Sequence, residues 1–416
     1  MTELHIRPPA PQGLRARIQS RVSKLIEGGW KRLRSRSTPI GEAIDRETHP
    51  ESGSHVVQLT SAPAIHSNIY CENPYMDPAS RYVFYQKADV SLGPWQLWRA
   101  DLATRQTRLV AEDVEEVLGC AVSFDQRYFF CDRRPQAGVL EILRFDTTTL
   151  EEKVFRFEGA PDQFESLGAI APDGRFFYTS ARLGETKEHR FGVLRFDLGE
   201  LRFDVIHERG DDLCNAHVQV EPSQGRDLLI QHNRGALYDD EGTMLKLVDE
   251  PWATLYLIGT EGGNFRQLPV GKPWTRPCQG HQTWIGATGE VLVAIVWDSV
   301  EQARREGALV KIRPGDDAPT VVGRGYPYMH PNASRDGRFW VSDTWRDVGI
   351  VVGSINTGRT RVLCESGESL GSPQYTHAHP YFSPDCRWVI FNSDRTGVPH
   401  IYAATVPDGL LDSLED

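Results

Sequence analysis

Short runs of alternating apolar and polar residues recur along most of this chain, paired around turns. One unit repeats: an apolar residue or two, a turn of Pro, Asp or Gly type, a basic or polar residue, then an aromatic-rich run. The copies are MDPASRYVFYQ (76–86), SFDQRYFFCD (123–132), APDGRFFYTS (171–180), EPSQGRDLLIQ (221–231), GATGEVLVAIV (286–296), SRDGRFWVSD (334–343) and SPDCRWVIFNSD (383–394). The residues that follow the turns fall at 81, 127, 175, 226, 290, 338 and 387, so the intervals are 46, 48, 51, 64, 48 and 49 residues. Alternation with period two marks strands, and a turn between two such runs marks a hairpin. A second apolar pair follows most copies, as in EILRFDTTTLEEKVF (141–155) and GVLRFDLGELRFDVI (192–206). Four strands per copy and seven copies predict an all-β protein, a seven-bladed β-propeller. The seventh copy ends after HIYAATV (400–406), one strand short. The run His55-Val-Val-Gln-Leu-Thr60 supplies that strand, so the ring closes through an N-terminal strand in the last blade and keeps no open edge. A parallel β-helix or a pair of sandwiches fits neither the period nor the paired hairpins.

The repeats divide the chain into a basic arm and polar linker (1–54) and a propeller (55–416). The first 36 residues hold nine Lys or Arg against only Glu3 and Glu27, and Leu14, Ile18, Val22, Leu25 and Ile26 recur at helical spacing. A basic amphipathic helix suits an anionic membrane surface or an organelle address, but an arm packed on the protein or left free is the plainer reading. With no apolar h-region, it does not read as a secretory signal. Residues 37–54 are polar and rich in turn formers, and so read as a linker. A formal charge of −11 argues against nucleic acid as a partner. The seven Cys are scattered, odd in number and never spaced CxxC, which points to free thiols in a reducing, cytoplasmic setting. No apolar run has the length of a transmembrane segment. Oligomeric state is left open.

Candidate chemistry concentrates in Gln374-Tyr-Thr-His377-Ala-His379-Pro. In an extended strand, His377 and His379 project from one face, and the amide oxygen of Gln374 can fold toward the same point. Two imidazoles and an amide oxygen suit Mn²⁺, Zn²⁺ or Fe²⁺ better than Ca²⁺, which prefers oxygen alone. A lone His-x-His is ordinarily two polar side chains, but position in the repeat adds weight. The innermost strand of each blade lines the channel, and His330 and His379 stand equally far ahead of the sixth and seventh turns. His281 and His217 hold that place before the fifth and fourth turns, and His66 lies somewhat further ahead of the first. Together they are expected to crowd one mouth of the channel. No Walker loop, GxSxG or dinucleotide fingerprint appears.

The run QYTHAHPYFSPDCRWVIFNSDRTGVPHIYAATVP (374–407) resembles the terminal blade of the oligogalacturonate lyase family, metal-dependent seven-bladed propellers that cleave short pectin fragments. Weaker similarity covers HPNASRDGRFWVSD (330–343), GHQTW (280–284), residues 215–235 and IHSNIYCENPYM (65–76), so the resemblance runs from about residue 55 to the end. It implies His330, Gln374, His377 and His379 as ligands of Mn²⁺ or another divalent transition metal, and His281 as the base that removes a uronate C5 proton. One departure stands out. The family's substrate-binding arginine aligns with Thr254, leaving Arg234 and Arg346 as the residues to replace it. The implied function is a metal-dependent lyase that cleaves short, acidic uronate oligosaccharides by β-elimination, with the metal-bound carboxylate easing loss of the C5 proton. His66, His217, His232, Arg346 and Tyr375 are the expected substrate contacts. The proton donor to the leaving oxygen stays open among water, His217, His232 and Tyr375. The alternatives are a metalloenzyme of the same scaffold acting on a different sugar, and a non-catalytic sugar-sensing or scaffold propeller.

Overall fold

Each turn of the repeat is built by its own side chains. In the second copy, the Ser123 hydroxyl donates to Asp125 Oδ1 (2.6 Å) and accepts the Tyr128 N–H (2.9 Å), while Asp125 Oδ1 accepts the Arg127 N–H (3.1 Å). Ser334, Asp336 and Arg338 repeat the arrangement, as do Ser383, Asp385 and Arg387. Short polar side chains that bond the backbone two residues on set a tight turn without help from the rest of the fold. One position in the turn needs a left-handed backbone, and Gly337 (φ 74°) and Cys386 (φ 57°) both occupy it. The basic residue that follows lies over the next aromatic ring: Arg81 on Tyr82, Arg127 on Tyr128, Arg175 on Phe176 and Arg338 on Phe339, at 4.8–5.0 Å. The basic–aromatic pair of the repeat is therefore a stacking unit.

The computed structural model describes residues 40–416 except 90–92, 346–347 and 372. Among these residues, seven antiparallel sheets form a seven-bladed β-propeller. Blade 1 runs from Ile65–Ser67 inside to Gln106–Val114 outside, blade 4 from Gln219–Val220 to Arg266–Gln267, and blade 6 from Asn332–Ala333 to Thr360–Cys364. Blade 7 holds Tyr381–Phe382, Trp388–Ser393 and His400–Thr405, and its fourth strand is His55–Gln58. Val56 pairs with Ala404, Val57 with Ala403 and Gln58 with Tyr402, closing the ring as the sequence predicts. The long fourth interval has a simple cause. A hairpin, Leu237–Tyr238 with Met244–Lys246, is inserted between the second and third strands of blade 4. No helix of the described residues is long and apolar enough to cross a membrane. All seven Cys are free thiols, and six are buried.

The expected basic helix lies outside the described residues. The expected linker is corrected in its described part, because Ile44–Thr48 adds a fifth strand to blade 7 and Ile40–Gly41 pairs with the outer strand of blade 1. This strap spans the seam where the ring closes. Polar contacts hold it: Arg105 reaches Asp45 (2.7 Å) and Arg395 reaches Glu47 (2.6 Å). Its composition is polar because both its faces meet water, which is why it resembles a linker. Closure by burial and strapping by exposed polar contacts differ in stability. Val56 is 0% exposed and Ile44 is 40% exposed. Val56→Asp is expected to cost several kcal/mol by burying an unpaired charge, whereas Ile44→Asp stays within about 0.5 kcal/mol. Denaturant midpoints of the two variants measure this, and equal shifts contradict the closure.

Candidate metal centre at the channel mouth

The central channel is not open from end to end. Residues 69–74 leave blade 1 and cross the axis. Asn332 Nδ2 of blade 6 donates to the Cys71 carbonyl (2.8 Å), Thr283 Oγ1 of blade 5 to the Glu72 carbonyl (3.0 Å), and His217 Nδ1 of blade 4 meets Glu72 Oε1 at 2.5 Å. In a ring of seven, blade 1 neighbours only blades 2 and 7, so contacts with blades 4 and 5 require the chain to pass through the centre. Ile69 takes a left-handed backbone (φ 76°) to make the entry. A β-branched residue disfavours that conformation, and such strain collects at sites where position matters more than stability. Below the crossing, a cavity is lined by residues of all seven blades, including Gln126, Gln219 and Asn332. Above it lies a layer of imidazoles.

His330, His377 and His379 each offer a ring nitrogen, and the three nitrogens lie within 4.8 Å of one another. The free nitrogens are identifiable. His330 Nδ1 is bonded to Asp343 Oδ2 (2.6 Å) and His377 Nε2 to the Gly371 carbonyl (2.9 Å). The remaining atoms, His330 Nε2, His377 Nδ1 and His379 Nε2, are buried with no hydrogen-bond partner. Burial and the flanking imidazoles push the His377 pKa down to about 4 and that of His379 well below its ordinary value. Imidazole nitrogens that converge with no other partner are a fitting donor set for a borderline divalent cation. The outer bonds to Asp343 and Gly371 fix the tautomer of each ring, as partners behind a metal ligand do.

The His-x-His pair does not lie on a strand, so the single-face geometry expected from the sequence is replaced by another. His377 follows a short turn, Gln374–Thr376, and His379 has φ 44°, both ahead of the inner strand Tyr381–Phe382. The left-handed backbone at His379 is what turns its ring onto the cluster. Neighbouring side chains clamp this loop. Asn68 Nδ2 donates to the carbonyls of Ala378 (3.2 Å) and His379 (2.8 Å), Asn392 Nδ2 to that of Tyr375 (3.0 Å), and Glu368 Oε2 accepts the Ala378 N–H (2.6 Å).

The other expected site residues divide into two groups. His281, on the inner strand Cys278–Trp284, is 4.2 Å from His330 between ring centroids, and its Nδ1 is buried without a partner. Burial and the imidazoles of His330, His217 and His377 hold its pKa well below the usual value. His217 stands two residues before the inner strand Gln219–Val220 and meets the same site through the ring of Tyr70, 5.3 Å away. Tyr70 also packs on His379 (4.5 Å) and His281 (6.4 Å), forming the floor of the mouth. Gln374 is exposed at the start of its turn, where its carbonyl accepts the His377 N–H (3.0 Å).

The second group has other partners. His66 pairs with His400 (Nδ1 to Nδ1, 3.2 Å) at the closing seam. His232 bonds Asp212 (3.0 Å) and sits edge-on to Tyr256. Tyr375 turns toward Trp95, with ring centroids 6.4 Å apart. Arg234 Nε and Nη2 donate to the carbonyls of Trp252, Pro251 and Lys272 at 2.7–3.1 Å, so most of its guanidinium braces loops of blade 4. Thr254, where the family's arginine aligns, is buried and bonded to the Val270 carbonyl and the Gln267 amide. Arg346 lies outside the described residues. Sequence reasoning missed Asp343, Glu368, Tyr70 and Glu72. Asp343 left a signal as the residue that ends the sixth copy of the repeat, and Tyr70 and Glu72 lie in the run 65–76 that carries part of the resemblance.

A propeller whose mouth gathers unpartnered histidine nitrogens around a common point is a scaffold with a candidate metal centre. Known proteins place it more narrowly. No family model matches the chain. It is 23% identical over 399 residues to the oligogalacturonide lyase of Pectobacterium atrosepticum, and 23% identical over 398 residues to the oligogalacturonate lyase of Dickeya dadantii; each alignment spans 86% of this chain and 95% of the relative. Among solved structures, an oligogalacturonate lyase in complex with manganese superposes with a TM-score of 0.69 at 17% identity, covering 90% of this chain and 99% of that one. The oligogalacturonate lyase of Vibrio parahaemolyticus gives 0.69 at 18% identity, covering 90% and 100%. The chain is a relative of the oligogalacturonate lyases and shares their fold, which bears out the resemblance seen in its last blade.

Chelator-stripped protein is expected to take up one divalent transition ion per chain in calorimetry. His330→Ala and His379→Ala abolish uptake, and Asp343→Asn weakens it about 10–100-fold. Undiminished uptake by both histidine variants contradicts the site.

Proposed function

We propose that this protein is a metal-dependent lyase that cleaves short uronate oligosaccharides by β-elimination. One observation carries the reading: three orphaned imidazole nitrogens within 4.8 Å of each other, with a fourth imidazole, His281, beside them. The activity named for the relatives, on oligogalacturonides, agrees with it.

A uronate C5–H is a weak carbon acid, and elimination across C4–C5 begins with its loss. His330, His377 and His379 would hold the ion, with Gln374 as the fourth ligand the resemblance implies; Mn²⁺ is the favoured ion, since manganese is the metal in the complex of the structural relative. When bound, such an ion supplies Lewis acidity to the carboxylate, stabilising the charge that develops as the proton leaves. His281 takes that proton. Its Nδ1 is buried without a hydrogen-bond partner and its ring is neutral at pH 7, so no proton must first be removed from the base. Asp343 holds the His330 ring in one tautomer, and Tyr70 closes the floor against the channel below. Arg234, mostly engaged with carbonyls, does not enter this set.

A second reading, the same chemistry on a different uronate, is favoured by the buried and bonded Thr254 in the place of the family's arginine. Threonine there offers no cation to a substrate carboxylate, which changes the sugar that is held while the proton transfer at His281 is retained.

Digalacturonate with chelator-stripped protein and added Mn²⁺ is expected to yield a conjugated, ultraviolet-absorbing 4,5-unsaturated uronate. His281→Ala, with the ion retained, lowers turnover about 10²–10⁴-fold. Mass spectrometry across a panel of uronates identifies the sugar, because elimination splits the chain without adding water. Absence of unsaturated product from every uronate contradicts the lyase reading.

A further inference from the structure

Elimination needs two proton transfers: one from carbon to a base, and one onto the oxygen that leaves C4. His281 accounts for the first. For the second, His232 and Tyr375 are turned to other partners, which leaves water and the groups around Tyr70. Two histidines flank that ring in opposite settings. His281 has no carboxylate partner, and its Nδ1 is buried without a hydrogen-bond partner. His217 is bonded through Nδ1 to Glu72 Oε1 at 2.5 Å, in a pair where both residues are buried. Two similar groups in contrasting environments are how an acid and a base are separated within one site.

The position of Glu72 is specific. It lies on the segment that crosses the channel, its carbonyl held by Thr283 and the preceding carbonyl by Asn332. The crossing thus delivers a carboxyl group from blade 1 to an imidazole of blade 4. His217 in turn takes a left-handed backbone (φ 43°), two residues ahead of its inner strand, as His379 does in blade 7. The same local device turns both rings into the mouth. Burial pushes the Glu72 carboxyl above its ordinary range, and the imidazole draws it back.

We propose that His217 is the general acid of this site, donating from Nε2 to the glycosidic oxygen as it leaves C4, and that Glu72 is its positioning residue. The pair shares one ionisable proton between Nδ1 and Oε1. As the C5–H bond breaks, its electron pair forms the C4=C5 double bond and the C4–O bond breaks. The leaving oxygen takes the proton from Nε2, Nδ1 keeps or gains the shared proton, and Glu72 ends as a carboxylate. His281 carries the C5 proton, and solvent returns the two groups to their starting states. Atoms and charge balance with no further reactant. His217 has this role only if the site runs the elimination proposed above.

A leaving group that needs no proton separates an acid from a residue that merely shapes the mouth. The test compares digalacturonate with a methyl galacturonide carrying 4-nitrophenolate at C4, using the Mn²⁺-loaded full chain. His217→Gln and Glu72→Gln are expected to lose about 10²-fold or more in kcat on digalacturonate and less than about tenfold on the nitrophenyl substrate. Equal losses on both substrates overturn the assignment, as does no loss on either. Tyr70→Phe showing the split in place of His217→Gln moves the role to the phenol and also overturns it. Wild-type protein that turns over neither substrate removes the galacturonide-lyase reading on which the assignment rests, a result distinct from the other three.

Discussion

Leaving a buried imidazole nitrogen without a partner costs roughly 1–3 kcal/mol, and this protein does so at three nitrogens that face one another. Bringing like groups together in a buried space without a hydrogen bond between them makes physical sense if a cation completes them. The surrounding structure can be read as what sustains that cost. Asp343 and the Gly371 carbonyl occupy the outer nitrogens of His330 and His377, so only one atom of each ring is left to face inward. Asn68, Asn392 and Glu368 fix the loop that carries the other two histidines. These residues come from blades 1, 6 and 7 and the loop between the last two, so the cluster depends on a closed ring. A strand at residues 55–58 therefore matters to chemistry at residue 379.

The crossing segment gives the mouth its depth. Without it the histidines would line an open channel; with it, Tyr70 forms a floor and Glu72 reaches the opposite side of the ring. The site then has two imidazoles of different character within one aromatic contact. His281 is neutral and unpartnered, and His217 is held by a carboxyl group. In the proposed elimination, a substrate bound between them would meet a proton acceptor and a proton donor held by different blades.

Much of this was legible in the chain. The propeller could be read because each turn is held by its own side chains: in three copies Ser, Asp and the residues that follow bond one another within five residues, so the pattern survives in the local sequence. The histidines could be placed because register in the repeat fixes height along the channel. What escaped is non-local. Glu72 and His217 are 145 residues apart, and Thr283 and Glu72 are 211 apart, and no spacing rule joins them. The strap at 40–48 was hidden by its polar composition, which suits an exposed edge strand as well as a linker. His66 has the expected residue type near the expected register, yet its ring meets His400 at the seam. Arg234 has the right chemistry but is engaged by backbone carbonyls, which no side-chain pattern reveals.

The most direct test of the account is a crystal soaked with Mn²⁺ and measured by anomalous diffraction. A single strong peak is predicted within bonding distance of His330 Nε2, His377 Nδ1 and His379 Nε2. A peak elsewhere, or the three rings facing separate points with no peak among them, would contradict it.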